Sequence, residues 1–241
     1  GVKVTPGYPW RFHPAAQDLK RIIDEGKLGK PLSVETRQIA EQVGAVRDPG
    51  HFMYRNDTEG GGMLHMLGGH HLELMRFFMG CEVKSVQAMV GRPVGNIEEP
   101  LEDIAIVAME YENGAFGSVH TGYLHPKGWG GKDVCLVYRG MEGWADWEIG
   151  EPTLEVKSTA REWSGSSERT LQYSLEPYTG YMSLKWGLDW LQNFVDDVIA
   201  DREPSLNAVD ALRVLESIDA AYESARTGRR VEVEYTSLDT S

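Results

Sequence analysis

Apolar residues recur along this chain with two different periods, and the change comes near residue 80. Before it the spacing is mostly helical. Ala15, Leu19, Ile22 and Ile23 share one face behind Pro14, which suits a first helical turn, and Gly26 and Gly29 close the segment. Residues 2–4 read as a short strand ended by Thr5-Pro6-Gly7, and residues 32–39 alternate Leu32, Val34 and Thr36 against Ser33, Glu35 and Arg37, as a half-buried strand does. Residues 41–58 are polar and irregular, a connection long enough to suggest a functional loop. Glu59 and three glycines then lead into a helix predicted over 63–79 and stopped by Gly80. Leu64, Leu67, His71, Leu74 and Phe78 form one stripe on it; Met66, His70, Glu73 and Phe77 form another.

Beyond Gly80 the period is two. Residues 83–90, 104–111, 115–123, 133–138 and 154–158 read as strands, with Asn113-Gly114 as a hairpin turn because that pair tolerates positive φ. Helices over 183–200 and 209–226 and a strand over 230–235 finish the chain. Hairpin-linked strands imply an α+β fold, a large, mostly antiparallel open-faced sheet with helices packed on one face. The other face then meets solvent or another subunit. Trp144, Trp147 and Trp163 are expected to cover that open face.

Composition narrows the partners. The 241 residues carry a net charge of −13, which argues against nucleic acid and against anionic membrane surfaces. No apolar run reaches the roughly 18–20 residues that span a bilayer, and no signal peptide is visible, so a cytoplasmic protein is expected. Cys81 and Cys135 are too few for a disulfide framework and read as buried free thiols.

Chemistry concentrates around the glycine-rich helix. Glycines at a helix entrance let backbone N–H groups approach a ligand, and the helix N-terminus favours negative charge. His65, His70 and His71 lie close in sequence, yet on a regular helix His71 points about 100° and His65 about 140° away from His70. They do not converge on one metal, and no metal site is expected. Glu73 lies within about 60° of His70, where a carboxylate would orient and charge-stabilise an imidazole for acid–base work. Arg11 and His13, in Trp10-Arg11-Phe12-His13, offer a cation and an imidazole before the first helix. Tyr123, His125 and Lys132 stand at a strand end and in a glycine-rich loop, residue types suited to a sugar or polyol. These five, with His71 and Glu73, are the candidate substrate-binding residues.

Three stretches together resemble the Gfo/Idh/MocA oxidoreductases. They are Gly1-Val-Lys-Val-Thr-Pro-Gly-Tyr-Pro-Trp-Arg-Phe-His-Pro-Ala15, Gly60-Gly-Gly-Met-Leu with Gly68-Gly-His70, and Ala221-Tyr-Glu-Ser-Ala-Arg-Thr-Gly-Arg-Arg-Val-Glu-Val233. The resemblance implies a dihydrodipicolinate-reductase-like C-terminal domain, with residues 1–8 a remnant of the last Rossmann strand and linker and residues 9–241 a substrate-binding and oligomerisation domain. It implies a parent enzyme that uses NAD or NADP on a sugar, polyol or cyclic hydroxyl compound, with His70 as the catalytic histidine. No G-x-G-x-x-G turn is present, so no cofactor-binding residue is assigned and the isolated chain is expected to be inactive, with no cofactor of its own. The family's aspartate four residues before the histidine is Met66 here, and a thioether cannot exchange a proton. A small-molecule substrate and a homo-oligomer formed through the open sheet face are the expected partners. Two alternatives stand beside this reading: a non-enzymatic oligomerisation or binding module, and a histidine-dependent lyase or hydratase.

Overall fold

Hairpins carry most of the chain into one sheet. The computed structural model describes residues 2–42, 44, 51, 62–129, 133–160, 163, 167–175 and 185–238, the last range without the side chains of 185 and 186. Its strands are β1 (Pro31–Glu41), β2 (Val83–Gly91), β3 (Ile104–Tyr111), β4 (Phe116–His125), β5 (Val134–Gly140), β6 (Gly143–Glu148), β7 (Thr153–Ser158), β8 (Glu168–Gln172) and β9 (Val231–Glu232). They form one nine-stranded sheet in the order β8-β7-β6-β5-β1-β4-β3-β2-β9. Every neighbouring pair is antiparallel except β1 and β4, which run parallel at the centre. A parallel pair needs a crossover, and here it contains a helix and the β2–β3 hairpin.

The helices are α1 (Pro14–Asp24), α2 (Gly69–Met79), α3 (Lys185–Ile199) and α4 (Ala208–Thr227), with a 3₁₀ turn at Pro9–Phe12 and a π-helical turn at Leu64–Gly68. Gly80 and Gly228 end α2 and α4 in the left-handed conformation, at φ 64° and 68°. Helices α1, α2 and α4 cover one face of the sheet. Leu19, Ile22, Leu72, Met75, Phe78, Val214 and Ile218 interlock there with Val34, Val86, Val107, Tyr111, Val119, Leu136 and Tyr138. Each fully buried side chain of this kind stabilises the fold by about 1.5–3 kcal/mol. Helix α3 instead packs on the 3₁₀ turn. No helix among the described residues is long and apolar enough to cross a membrane.

The uncovered face carries Met89, Ile106 and Phe116, all well exposed. Trp144 also lies on this face, in a row with Arg139 and Lys157. Trp147 does not: it is fully buried on the helix-covered side, its ring 4.8 Å from that of His13. The expectation that all three tryptophans cover the open face therefore fails at Trp147 and at Trp163, which packs against the helix-side core with Arg169 over its ring. Strand β6 points Ala145 and Trp147 inward and Trp144, Asp146 and Glu148 outward, so a tryptophan among the outward residues hides the alternation. Neither β6 nor β8, whose one aliphatic residue is Leu171, is evident from periodicity. Conversely, residues 2–4 join no strand, and the last strand contracts from 230–235 to Val231–Glu232.

Candidate functional site

The glycine-rich entrance to α2 is held from the neighbouring strand connection. Gly62 has φ +75°, and a Cβ there would collide with the carboxylate of Glu102, so two independent constraints demand glycine. Glu102 is 2 % exposed; its Oε1 accepts the Leu64 N–H at 2.8 Å and the Tyr222 hydroxyl at 3.1 Å. Its backbone carbonyl accepts the Met63 N–H at 3.2 Å. Burial pushes the Glu102 carboxyl above its usual range, and these donors pull the other way. At Met63 and Leu64, then, the negative charge expected at this helix start is the protein's own, which corrects the ligand-binding reading of those backbone donors.

The first turn after Met63 is π-helical. An extra residue in the turn rotates everything before it relative to α2, so regular-helix angles from His65 or Met66 to His70 do not apply across it. His65, Met66, Leu67 and His70 are all half-buried at the helix entrance, with Leu67 packed on the small cluster of Met63, Ile97 and Tyr123. The His70 ring stands edge-on to that of Tyr8, with centroids 5.3 Å apart and planes at 85°. Its Nδ1 is the buried ring nitrogen and has no hydrogen-bond partner among the described residues. Burial lowers the His70 pKa, so the imidazole is neutral near pH 7 and free to accept a proton.

Several residues chosen from sequence turn out to hold the fold. Glu73 is fully buried and bonds Arg11 rather than His70, with Arg11 Nε donating to its Oε1 at 2.6 Å. Its Oε2 lacks a partner among the described residues, and burial pushes the carboxyl up to about 7 against the pull of Arg11. Arg11 is itself only 9 % exposed. His13 caps α1: its Nδ1 accepts the Ala15 N–H at 3.1 Å, and burial against Trp147 lowers its pKa to about 4. His71 lies under α2 with Nε2 2.6 Å from Gln38 Oε1, and burial takes its pKa to about 3. A carbonyl oxygen only accepts, so the His71 proton sits on Nε2. Arg11, His13, His71 and Glu73 are thus interior groups, each held by partners within the fold.

The remaining candidates divide. Tyr123 is 4 % exposed and packs with Met63 and Ile97, directly under the π-turn. His125, at the end of β4, is part-exposed, its Nε2 3.6 Å from Asp133 Oδ2; Arg37 bonds the same aspartate. Lys132 lies outside the described residues, as does most of the 41–58 stretch. Periodicity missed Glu102, Tyr8 and Gln38. A signal existed for the first: two acids, Glu102-Asp103, immediately before an apolar strand, and both cap backbone N–H groups. Among the described residues no group of three or more His, Cys, Asp or Glu is arranged to hold a metal ion.

Comparison with known proteins bears on this arrangement. The GFO/IDH/MocA C-terminal domain matches residues 16–146, and the C-terminal alpha/beta domain of the oxidoreductase family matches residues 137–233. The chain belongs to the GFO/IDH/MocA family. Scyllo-inositol 2-dehydrogenase (NAD(+)) of Bacillus subtilis is 29 % identical over 238 residues, covering 97 % of this chain and 64 % of that protein. D-apiose dehydrogenase of Rhizobium rhizogenes is 23 % identical, covering 93 % of this chain and 62 % of its own length. Among solved structures, an NAD binding oxidoreductase from Klebsiella pneumoniae superposes with a TM-score of 0.81 at 19 % identity, over 98 % of this chain and 68 % of that one. Levoglucosan dehydrogenase in complex with NADH and levoglucosan gives 0.79 at 22 %, over 94 % and 65 %. At such identities these structures establish the fold. The chain spans a little under two thirds of the curated relatives it matches.

Proposed function

We propose that this chain is the substrate-side domain of an NAD(P)-dependent oxidoreductase acting on a hydroxyl of a sugar or polyol. The observation that carries the reading is His70: a neutral, half-buried imidazole beside a glycine-rich helix entrance that Glu102 holds rigidly. In this role His70 takes the proton of the substrate hydroxyl during oxidation and returns it during reduction. Bound nicotinamide supplies the hydride chemistry. Among the described residues the sole parallel strand pair is β1 with β4, so a dinucleotide-binding βαβ unit is not part of them and no residue is assigned to the cofactor. Tyr123, packed beneath the π-turn, and His125, at the end of the same strand, remain candidates for the substrate side, as does Lys132.

The names of the relatives, inositol and apiose dehydrogenases, support the substrate class. The open sheet face, with Met89, Ile106 and Phe116 exposed, supports a homo-oligomer formed through that face. One observation favours the alternative of a binding module without catalysis. Met66 stands before His70 where a carboxylate would help, and Glu73 is committed to Arg11.

The test is to express the full-length gene product containing this sequence and assay polyols and aldoses with NAD and with NADP. Turnover is expected, with His70→Asn lowering kcat roughly 10²- to 10⁴-fold. No turnover on any polyol, or full activity in His70→Asn, defeats the proposal.

A further inference from the structure

The segment before α1 meets α2 at two points that share one spacing. Arg11, in the 3₁₀ turn, pairs with Glu73; Tyr8, the residue just before that turn, meets His70, three residues before Glu73 in α2. His70 and Glu73 share a face of α2, and Tyr8 and Arg11 stand close together in one short segment, so one docking register satisfies both contacts. The ion pair makes that register hard to change. Arg11 is 9 % exposed and Glu73 fully buried, and sliding by a residue would take the Arg11 guanidinium from the buried Glu73 carboxylate. Tyr8 is therefore delivered to His70 by a contact one helical turn away.

The imidazole needs such a neighbour. The second side-chain torsion of histidine is broad and roughly two-fold, so a ring without a fixed partner samples two flipped orientations. No hydrogen bond to Nδ1 fixes the His70 ring among the described residues. The Tyr8 ring, edge-on at 5.3 Å, supplies a directional contact of the kind aromatic pairs prefer.

We infer that Tyr8 is a positioning residue for His70, holding its imidazole in one orientation with Nδ1 turned inward and the other ring nitrogen left to meet substrate. The inference rests on the reading of His70 as the proton-transfer group. Tyr8 does not itself exchange the proton: burial and the nearby Glu73 charge push its hydroxyl up to about 12, so it stays neutral across the working range. A half-buried aromatic could instead be a simple filler of the helix junction, and the experiment separates the two.

The chain is labelled with ¹⁵N-histidine, and the His70 ring is followed by long-range ¹H–¹⁵N correlation in wild type, Tyr8→Phe and Tyr8→Leu. A nuclear Overhauser contact between the Tyr8 ring and His70 Hδ2 is expected in wild type, and its absence overturns the proposal whatever the variants do. Tyr8→Phe is expected to preserve the His70 ring shifts. Tyr8→Leu should move them toward unperturbed values and raise the titration midpoint by about half a unit, as water reaches Nδ1. Unchanged His70 lines in Tyr8→Leu overturn the proposal. In the full-length enzyme Tyr8→Leu should lower kcat roughly tenfold with KM little changed, since orientation is lost rather than binding. If kcat survives Tyr8→Leu while His70→Asn abolishes it, the positioning role is wrong. If His70→Asn is itself without effect, the functional reading has failed instead.

Discussion

At the entrance to α2, Met66 in the π-turn and His70 just after it are half-buried, and the buried Nδ1 of His70 has no hydrogen-bond partner among the described residues. Further along the same helix, Glu73 is locked to Arg11 and Arg76 donates twice to Glu82, at 2.6 and 2.7 Å. The contrast follows from how each end meets the rest of the chain. The later turns are enclosed by the 3₁₀ turn, α4 and the loop after Gly80, so charges there must be paired. The first turn packs on the sheet and on Val214 and Ile218 of α4, and what reaches His70 there is the Tyr8 ring. Polar groups at the later end hold the fold, whereas at the first turn an imidazole is left unpaired and usable.

The largest test of this contrast is Glu73→Ala, which takes the nearer carboxylate from the buried Arg11 and leaves it Asp210 at 3.5 Å and the Ser205 carbonyl at 3.1 Å. A loss of about 3–5 kcal/mol is expected in urea unfolding. His70→Asn, one turn away, should change stability by less than about 1 kcal/mol. Comparable losses would erase the distinction between the two ends.

Acid should act on the buried histidines before it reaches most carboxylates. His13 and His71 have folded pKa values near 4 and 3 against 6.5 for the free side chain. Above about pH 6.5 both are neutral folded or unfolded. As pH falls below 6.5 toward these values the unfolded chain binds protons the folded one refuses, and stability declines by on the order of 3 kcal/mol for each histidine. Glu73 runs the opposite way, with a folded value near 7 above its usual 4.5. Its contribution is complete below about 4.5 and is lost as pH rises through 7. Unfolding curves across pH 4–8 should show the acid limb flattened in His13→Asn with His71→Gln, and the neutral limb flattened in Glu73→Gln. An unchanged acid limb in the histidine double variant would contradict the assignment of both as buried neutral groups.

Gly62→Ala forces a Cβ against Glu102 at φ +75° and should cost about 2–3 kcal/mol. Calorimetry reads the loss; a neutral substitution would mean the Glu102 cap does not hold this turn. The smallest effect is expected from Met66→Asp. A carboxylate in the turn before His70 favours the imidazolium and should raise its midpoint by about half to one unit, read by histidine NMR. No rise would show that the π-turn carries position 66 away from the imidazole.

Much of the architecture was legible in the chain itself. The switch from helical to two-residue period marks where helices give way to hairpins, and Pro14, Asn113-Gly114 and Gly80 sit at the boundaries they predict. Strands β6 and β8 were not legible, because an outward Trp144 and a nearly apolar-free β8 break the alternation. At the site, His70 could be picked out by its motif, but its surroundings could not. Glu73 looked like its partner at helical spacing and belongs to Arg11, 62 residues away; His71 belongs to Gln38, 33 residues away.

The amino-acid sequence by itself determined the fold class, the family and the one histidine worth testing, because periodicity and turn residues act locally. Tertiary structure alone decided who each polar group meets: Glu102 at the helix start, Arg11 on Glu73, Tyr8 against His70. Period tells a residue which face it occupies, while its partner on that face comes from a distant part of the chain brought there by burial of the core.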